Sequence, residues 1–257
     1  MLQDKKMDVA LNNVLTRQDY LVTQGNDLAR AFGNLTSFEH KVLDYCFSYV
    51  KKEDTADMIY SAKALDIIHH LGLNSSGKNY QRIVKAFKGL NENTAIYLVI
   101  TKPSGDKGIL MTSLFDRIAC FESGQIDFRF SRDVAKYVFQ LKKNFYSFKL
   151  GELARVRSKY TLTLMKLWNA NSMGKLTNTT LKGTLEEWEF WFLGTNNDGS
   201  PRTMPAGVFK RDVLKHAERE LKKLYPDTQL FLETKKNGVK VVGYNLDIVR
   251  LHTHLDF

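Results

Sequence analysis

Two clusters of cations recur at helical spacing. Lys78, Arg82, Lys85 and Lys88 fall three or four residues apart with no acid among them. Lys210, Arg211, Lys215, Arg219, Lys222 and Lys223 form a second cluster on the outer face of a longer helix further along, with Asp212 among them. Residues so spaced share one face of a helix, so each cluster is a cationic stripe. Lysine and arginine in a stripe neutralise phosphates and release counterions. Arginine also grips guanine through two parallel hydrogen bonds. Asn79 and Gln81 lie beside the first stripe and can hydrogen-bond base edges or phosphates. Any surface helix carries lysines, so one stripe alone is a weak signal; the repetition carries the reading.

Other chemistries fit poorly. Gly72-Leu-Asn-Ser-Ser-Gly-Lys-Asn79 nearly spells a phosphate-binding loop. Such a loop needs a strand before it and a hydroxyl after its lysine; here a helix is expected before it and Asn79 replaces the hydroxyl. His252-Thr-His254 resembles a two-histidine nickase motif, but only Leu-Asp-Phe follows, without a nucleophilic tyrosine. His69 and His70 are adjacent and cannot present both rings on one helix face. Glu186, Glu187 and Glu189 lie on a bracing helix, and no acid/base or triad constellation is visible. Cys46 and Cys120 have no partner at metal-ligand spacing, which leaves two reduced core thiols as the expectation. The expectation is a protein with no catalytic activity, no cofactor and no metal. No run of 18 apolar residues spans a membrane, and the opening MLQDKKMDVALNN has no apolar leader segment. A cytoplasmic protein is expected.

The bulk numbers agree with a polyanionic partner. The 257 residues carry 38 Lys+Arg against 28 Asp+Glu, a net charge of +10. That length suits two domains.

The elements that must hold the stripes follow a repeated order. Residues 1–35 form a mixed entry arm, with a short helix over 27–32. Thr36 or Ser37 caps a helix bearing Phe38, Val42, Leu43, Cys46, Phe47 and Val50 on one face. Ser61 caps the next, with Ala62, Leu65, Ile68 and Leu71 inward and Gly72 as its stop. The third starts near Lys78 and buries Tyr80, Ile83, Val84, Phe87 and Leu90. A hairpin follows, from 94–100 to 109–121, with a basic turn carrying Lys102 and Lys107. Residues 125–130 add a third strand. In the second half, residues 142–159 form a basic stretch that includes Arg157 and Lys159. Tyr160 to Ala170 is helical, Thr184 and Glu187 form a capping box, and the longest helix runs from Val208 to Tyr225 until Pro226 ends it. A hairpin over 229–246 turns at Lys235-Lys236-Asn237-Gly238, where Asn-Gly is a preferred two-residue turn.

Helix, helix, basic helix and basic-tipped hairpin, twice, is the order of a winged-helix reader. The expected fold class is α+β, two tandem winged-helix domains at 36–131 and 132–257. Double-stranded DNA would meet Lys78, Asn79, Gln81, Arg82, Lys85, Lys102 and Lys107 from the first. From the second it would meet Arg157, Lys159, Lys210, Arg211, Lys215, Arg219, Lys235 and Lys236.

The chain also resembles the iteron-binding replication initiator (Rep) proteins of theta-replicating bacterial plasmids. The resemblance rests on Asn26-Asp-Leu-Ala-Arg, Asn34-Leu-Thr-Ser-Phe-Glu-His-Lys-Val-Leu, Phe148 to Leu153, Arg157-Ser-Lys-Tyr-Thr-Leu-Thr-Leu-Met-Lys-Leu, and Phe209-Lys-Arg-Asp-Val-Leu-Lys-His-Ala-Glu-Arg-Glu-Leu. It covers residues 26–246. It implies binding to iterons at a plasmid origin, opening of an adjacent A·T-rich region, and recruitment of host replication proteins, the host initiator and replicative helicase. It also implies a homodimer formed through the first domain in equilibrium with monomer, repression of the protein's own promoter, and a plasmid-associated place in the bacterial nucleoid. By motif match, base reading falls on Lys210, Arg211, Lys215 and Arg219. Asp212 is an acid amid that basic face, able to orient Arg211 or Lys215 or to accept from a cytosine amine. The alternative is a winged-helix transcriptional regulator with no role in replication.

Overall fold

The computed structural model describes residues 21–101, 103–139, 141, 145–172, 175–196 and 200–251. These divide into two compact units, each assembled from separated stretches of chain. The first takes 21–23, 38–141 and 148–155; the second takes 24–37, 145–147 and 156–251. The expected boundaries were continuous. Asn26–Arg30, read as part of an arm, is a 3-10 turn inside the second unit, and 148–155, expected in the second domain, lies in the first unit.

In chain order the elements begin with β1 (Leu21–Gly25), α1 (Ser37–Phe47), β2 (Tyr60–Lys63), α2 (Ala64–His70) and α3 (Gly77–Asn93). Then come β3 (Ala95–Thr101), β4 (Lys107–Ser113), β5 (Phe115–Cys120), β6 (Gln125–Phe130) and α4 (Ala135–Val138). After β7 (Phe145–Lys149), which pairs with β1, follow α5 (Leu150–Arg155), α6 (Lys159–Asn171), β8 (Thr179–Thr184) and α7 (Leu185–Leu193). The long helix α8 is built from Ala206–Phe209, Lys210–Leu214 and Lys215–Leu224, the middle piece being a π turn. The strands β9 (Thr228–Asn237) and β10 (Lys240–Arg250) close the fold.

In the first unit a three-stranded antiparallel sheet has the order β2-β6-β5. Tyr60 and Ala62 of β2 point inward while Ser61 and Lys63 face solvent. Ser61 is therefore a strand residue and not the expected helix cap. The first N–H of α2, on Ala64, instead donates to the carbonyl of Gly124 at 2.8 Å. At the other end of α2, Gly72 takes a left-handed φ of 67° and the Leu73 N–H returns to the Ile68 carbonyl. This closes the helix as glycine-ended helices do. Helix α3 buries Ile83, Ala86, Phe87 and Leu90, but Val84 is exposed, contrary to expectation. Aromatic rings fill the core: Phe128 lies 5.5 Å from Tyr60, and Phe130 lies 4.9 Å from both Phe47 and Phe115. Each such ring, fully buried, contributes about 1.5–3 kcal/mol.

The expected single strand over 109–121 is two strands in two sheets. β4 pairs only with β3, whereas β5 pairs with β6. Leu114 divides them; its N–H donates to Thr94 O and its carbonyl accepts from Ser131 N.

The second unit repeats the first sheet, with order β8-β10-β9. In both units the strand before the helix pair lies against the last strand of the hairpin. The capping box at α7 is present: Thr184 Oγ1 accepts from Glu187 N and Glu187 Oε2 from Thr184 N. Trp188 packs on Phe192, and Phe209 stacks on Tyr244. Trp188 Nε1 donates to Tyr244 O, and Tyr244 Oη donates to Ala206 O, which ties α7 and α8 to the sheet. The residue stretch 24–37 is sewn into this unit. Lys159 Nζ donates to Gly33 O at 2.9 Å, Thr195 N donates to Asn34 Oδ1 at 2.8 Å, and the Arg30 guanidinium lies 5.4 Å from the Trp191 ring.

Among the described residues, no helix is long and apolar enough to cross a membrane, and no cluster of His, Cys, Asp and Glu is arranged to hold a metal ion.

Candidate nucleic-acid interface

Each unit carries one exposed cationic helix face. In the first unit it is α3, whose buried side leaves Lys78, Gln81, Arg82 and Lys85 on the surface. An open concavity at the head of the helix is lined by these four residues with Asn74, Ser76 and Asn79. Asn79 does not reach outward freely. Its amide nitrogen donates to Asn74 O at 2.9 Å and to Asn74 Oδ1 at 2.8 Å, bracing the turn before α3. The Arg82 guanidinium lies 3.9 Å from the centre of the Phe38 ring. An arginine over an aromatic face is held by the ring quadrupole while its N–H groups stay available at the edge. Lys88 pairs with Glu92 one turn on, at 3.6 Å.

The hairpin expected to flank this helix is not the matching one. By sheet topology the counterpart of β9–β10 in the first unit is β5–β6, whose tip is Phe121-Glu122-Ser123-Gly124 and carries no lysine. Lys107 begins β4 in the additional β3–β4 ladder and is exposed. Lys102 lies outside the described residues.

In the second unit the face is α8. Arg211, Lys215, Arg219, Lys222 and Lys223 are exposed along it, and Lys210 is half-buried. The π turn at Lys210–Leu214 sits where four of the expected base readers begin; the Lys215 N–H returns to the Lys210 carbonyl. Single π turns inside helices are frequent at functional sites. Few of these cations are bare. Lys210 Nζ donates to Thr234 Oγ1 at 2.9 Å, which joins the helix to β9. Lys215 Nζ donates to Glu218 Oε2 at 2.6 Å, and Lys222 lies 3.7 Å from the other Glu218 oxygen. Arg219 Nε donates to the Lys215 carbonyl. Arg211 and Asp212 form a two-bond fork, with Nε to Oδ1 at 2.6 Å and Nη2 to Oδ2 at 2.8 Å. That hydrogen bonding holds the Asp212 carboxyl below the usual carboxylate range and raises the Arg211 guanidinium above its own. Asp212 thus faces Arg211, one of the partners expected for it, while Lys215 turns to Glu218.

The hairpin β9–β10 presents Lys235, Lys236 and Lys240, all exposed. Asn237 pairs across the ladder with Lys240, so the turn is Gly238-Val239, one residue later than expected. Gly238 has a φ of 60°, which suits a glycine at the first central position of a primed turn. Lys240 is a cation that the turn reading passed over. Glu233 takes a bond from Lys235 Nζ at 3.2 Å.

Arg157 and Lys159 sit at the head of α6. Arg157 is exposed, but its backbone is fixed: the N–H donates to Glu220 Oε1 at 2.7 Å and the carbonyl accepts from Ser37 Oγ. Lys159 points at Gly33, so its ammonium serves the fold of the unit. Glu220 also accepts from Ser158 N and Thr161 Oγ1. Burial opposes its charge, but the bonds from Arg157, Thr161 and Ser158 outweigh that and hold its carboxyl below the ordinary value. Phe38 shapes the α3 face of the first unit, and Thr234, Glu218 and Glu220 shape the α8 face of the second; none has a sequence signal, because each acts through a partner fixed only by the fold.

Residues 21–169 match the protein family described as Initiator Replication protein, WH1. Among solved structures, the chain is similar to the Pi initiator protein in complex with iteron DNA. The identity is 17%, the TM-score is 0.69, and the match covers 91% of this chain and 99% of that one. It is also similar to the WH1 domain of a replication protein isolated from a multiple sclerosis patient, at 15% identity and a TM-score of 0.37, covering 55% of this chain and 98% of that one. Domains 2 and 3 of RctB match at 14% identity and a TM-score of 0.42, covering 89% of this chain and 85% of that one. No curated protein matches the chain by sequence.

Proposed function

This chain belongs to the initiator replication protein family, and from that premise we propose that it starts replication by binding repeated sites in double-stranded origin DNA. One observation carries the DNA reading. The exposed face of α8 carries Arg211, Lys215, Arg219, Lys222 and Lys223 and is joined, through Lys210 and Thr234, to a hairpin tipped by Lys235, Lys236 and Lys240. A helix of that kind fits the major groove, and the adjacent tip reaches the flanking backbone or minor groove. The stripe on α3 gives the first unit its own contact through Lys78, Gln81, Arg82 and Lys85. The complex of the Pi initiator protein with iteron DNA supports direct repeats as the target.

In this reading the second unit is the main sequence reader. The first unit adds DNA contact and pairs two copies as a homodimer in equilibrium with monomer. Binding strains an adjacent A·T-rich segment, and the host initiator and replicative helicase are recruited there. Binding at the protein's own promoter represses it. The protein acts by binding alone, without catalysis, on plasmid DNA in the bacterial cytoplasm.

Selection of bound duplexes from a random pool tests this directly. The expected result is a single motif, which recurs as direct repeats in the DNA that carries the gene. A plasmid bearing only this gene, those repeats and the A·T-rich segment beside them then replicates in cells. Recovery of a motif with no replication from the minimal plasmid would instead favour a transcriptional regulator.

A further inference from the structure

Asp212 interrupts a face that otherwise carries Arg211, Lys215 and Arg219. A carboxylate on such a face repels phosphates, so a surface shaped only by the DNA backbone would leave it out. Asp212 lies in the π turn Lys210–Leu214. Successive residues on an α-helix do not ordinarily face each other. A wider turn brings them closer around the axis, and here both Asp212 oxygens meet Arg211. Nε and Nη2 donate at 2.6 and 2.8 Å, each to its own oxygen. Both side chains are more than half exposed, at 72% and 51%. An ion pair so open to water adds little stability. Its consequence is geometric.

A guanidinium offers five N–H donors in one rigid plane. Asp212 takes two of them along the Nε–Nη2 edge. The outer edge keeps one N–H on Nη1 and one on Nη2, parallel and directed away from the carboxylate. A parallel N–H pair matches the O6 and N7 acceptors of guanine in the major groove. A single phosphate oxygen requires no such fixed plane.

We propose that Asp212 is a positioning residue that fixes the Arg211 guanidinium to read one guanine of the target. The proposal rests on the DNA-reading role of α8 given above. Asp212 touches no base in this arrangement; it selects which edge of Arg211 is presented and in which plane.

The test uses the full chain as wild type, Asp212→Asn, Asp212→Ala and Arg211→Lys. Each is passed through random-duplex selection and then titrated on the recovered site, on its single-base variants and on random duplex. Wild type is expected to prefer guanine at one position by about tenfold or more, and Arg211→Lys to lose most of that preference, since an ammonium has no planar fork for Asp212 to orient. Both Asp212 variants are expected to lose preference at the same position while binding random duplex more tightly, because a negative charge has left the face. A merely structural Asp212 would weaken both affinities together, and that result overturns the proposal. So does an Asp212→Asn protein that keeps the guanine preference, or one that loses a cytosine preference at another position instead. If wild type yields no preferred sequence at all, the DNA-reading role itself falls, and this result is distinct from the others.

Discussion

Lys210, at the start of the π turn in α8, donates its ammonium to the hydroxyl of Thr234 on β9 at 2.9 Å. The first cation of α8 is thereby committed to the hairpin beside it. Helix and hairpin are coupled by one charge-assisted hydrogen bond, which fixes the spacing between them; in the proposed function that spacing straddles a DNA backbone.

Thr234→Val keeps the shape and removes the acceptor. Specific affinity is expected to fall severalfold, because a helix and hairpin no longer held at one spacing must be ordered on binding. Hydroxyl-radical footprinting should show protection lost at the flank under the hairpin and retained under the helix. Tighter binding by the variant would mean that Lys210 is a phosphate contact held back by Thr234.

Arg82 is steered by the ring of Phe38 at 3.9 Å. Phe38→Leu retains most of the apolar volume and removes the quadrupole. The contact is worth about 0.5–1 kcal/mol where water reaches it. DNA affinity should drop two- to fivefold by that measure, with little change in thermal midpoint. An equal loss in Phe38→Leu and in Phe38→Leu/Arg82→Ala would place Arg82 downstream of the ring; additive losses would separate them.

The long periodic elements were legible in the sequence, and the pairings were not. Helices α1, α3 and α8 announce themselves because their apolar residues repeat at helical spacing over several turns. The capping box at Thr184 and Glu187 is local, and it is found where the sequence places it. β2 is four residues long and is stabilised by Phe128 and Asp127 of β6, far along the chain. Nothing between Tyr60 and Lys63 records that. The same reason explains the hairpin in the first unit. Turn chemistry at 102–108 is local, but whether that hairpin joins the helix-bearing sheet depends on distant partners, and β5–β6 joins it instead. Among site residues, charge and spacing locate the stripes. They do not show that Lys159 reaches Gly33 or that Asn79 braces Asn74. The π turn is equally silent, since it changes the helical period for a single turn.

The hairpin tip should act on phosphates rather than bases. Alanine at Lys235, Lys236 or Lys240 is expected to weaken binding to specific and random duplexes alike. Each should lower the slope of log affinity against log salt by about one. Lys235 is also paired with Glu233, so its effect should be the smallest of the three. A change in base preference with an unchanged slope would contradict the assignment.

Glu220 links acid stability to the junction before α6. Its folded pKa is held below the ordinary 4.5 despite partial burial, by donors from Arg157, Thr161 and Ser158. A depressed carboxyl contributes stability that is fully present above its unfolded pKa and is lost as pH falls through the folded value. The melting temperature of the second unit should therefore decline below about pH 4.5 more steeply in wild type than in Glu220→Gln. Parallel declines would show that other carboxylates govern the acid limb.

Gly243 is required by a close approach of two strands. A β carbon there would lie 2.3 Å from the Gly183 carbonyl oxygen and 3.1 Å from the Thr184 α carbon. Both neighbours are backbone, so neither can swing aside; β8 must retreat from β10. That retreat disturbs the next residue, Tyr244, which accepts from Trp188 and donates to Ala206. Gly243→Ala should cost about 1–3 kcal/mol, as overpacked sites do, and lower the melting temperature of the second unit by several degrees or more. Gly207 at the head of α8 is the control, because nothing lies within 4 Å of a β carbon built there. Gly207→Ala should be neutral or stabilising, since alanine favours a helix by up to about 1 kcal/mol over glycine. If the two variants melt alike, the β8–β10 approach is not what holds α7 and α8 against the sheet.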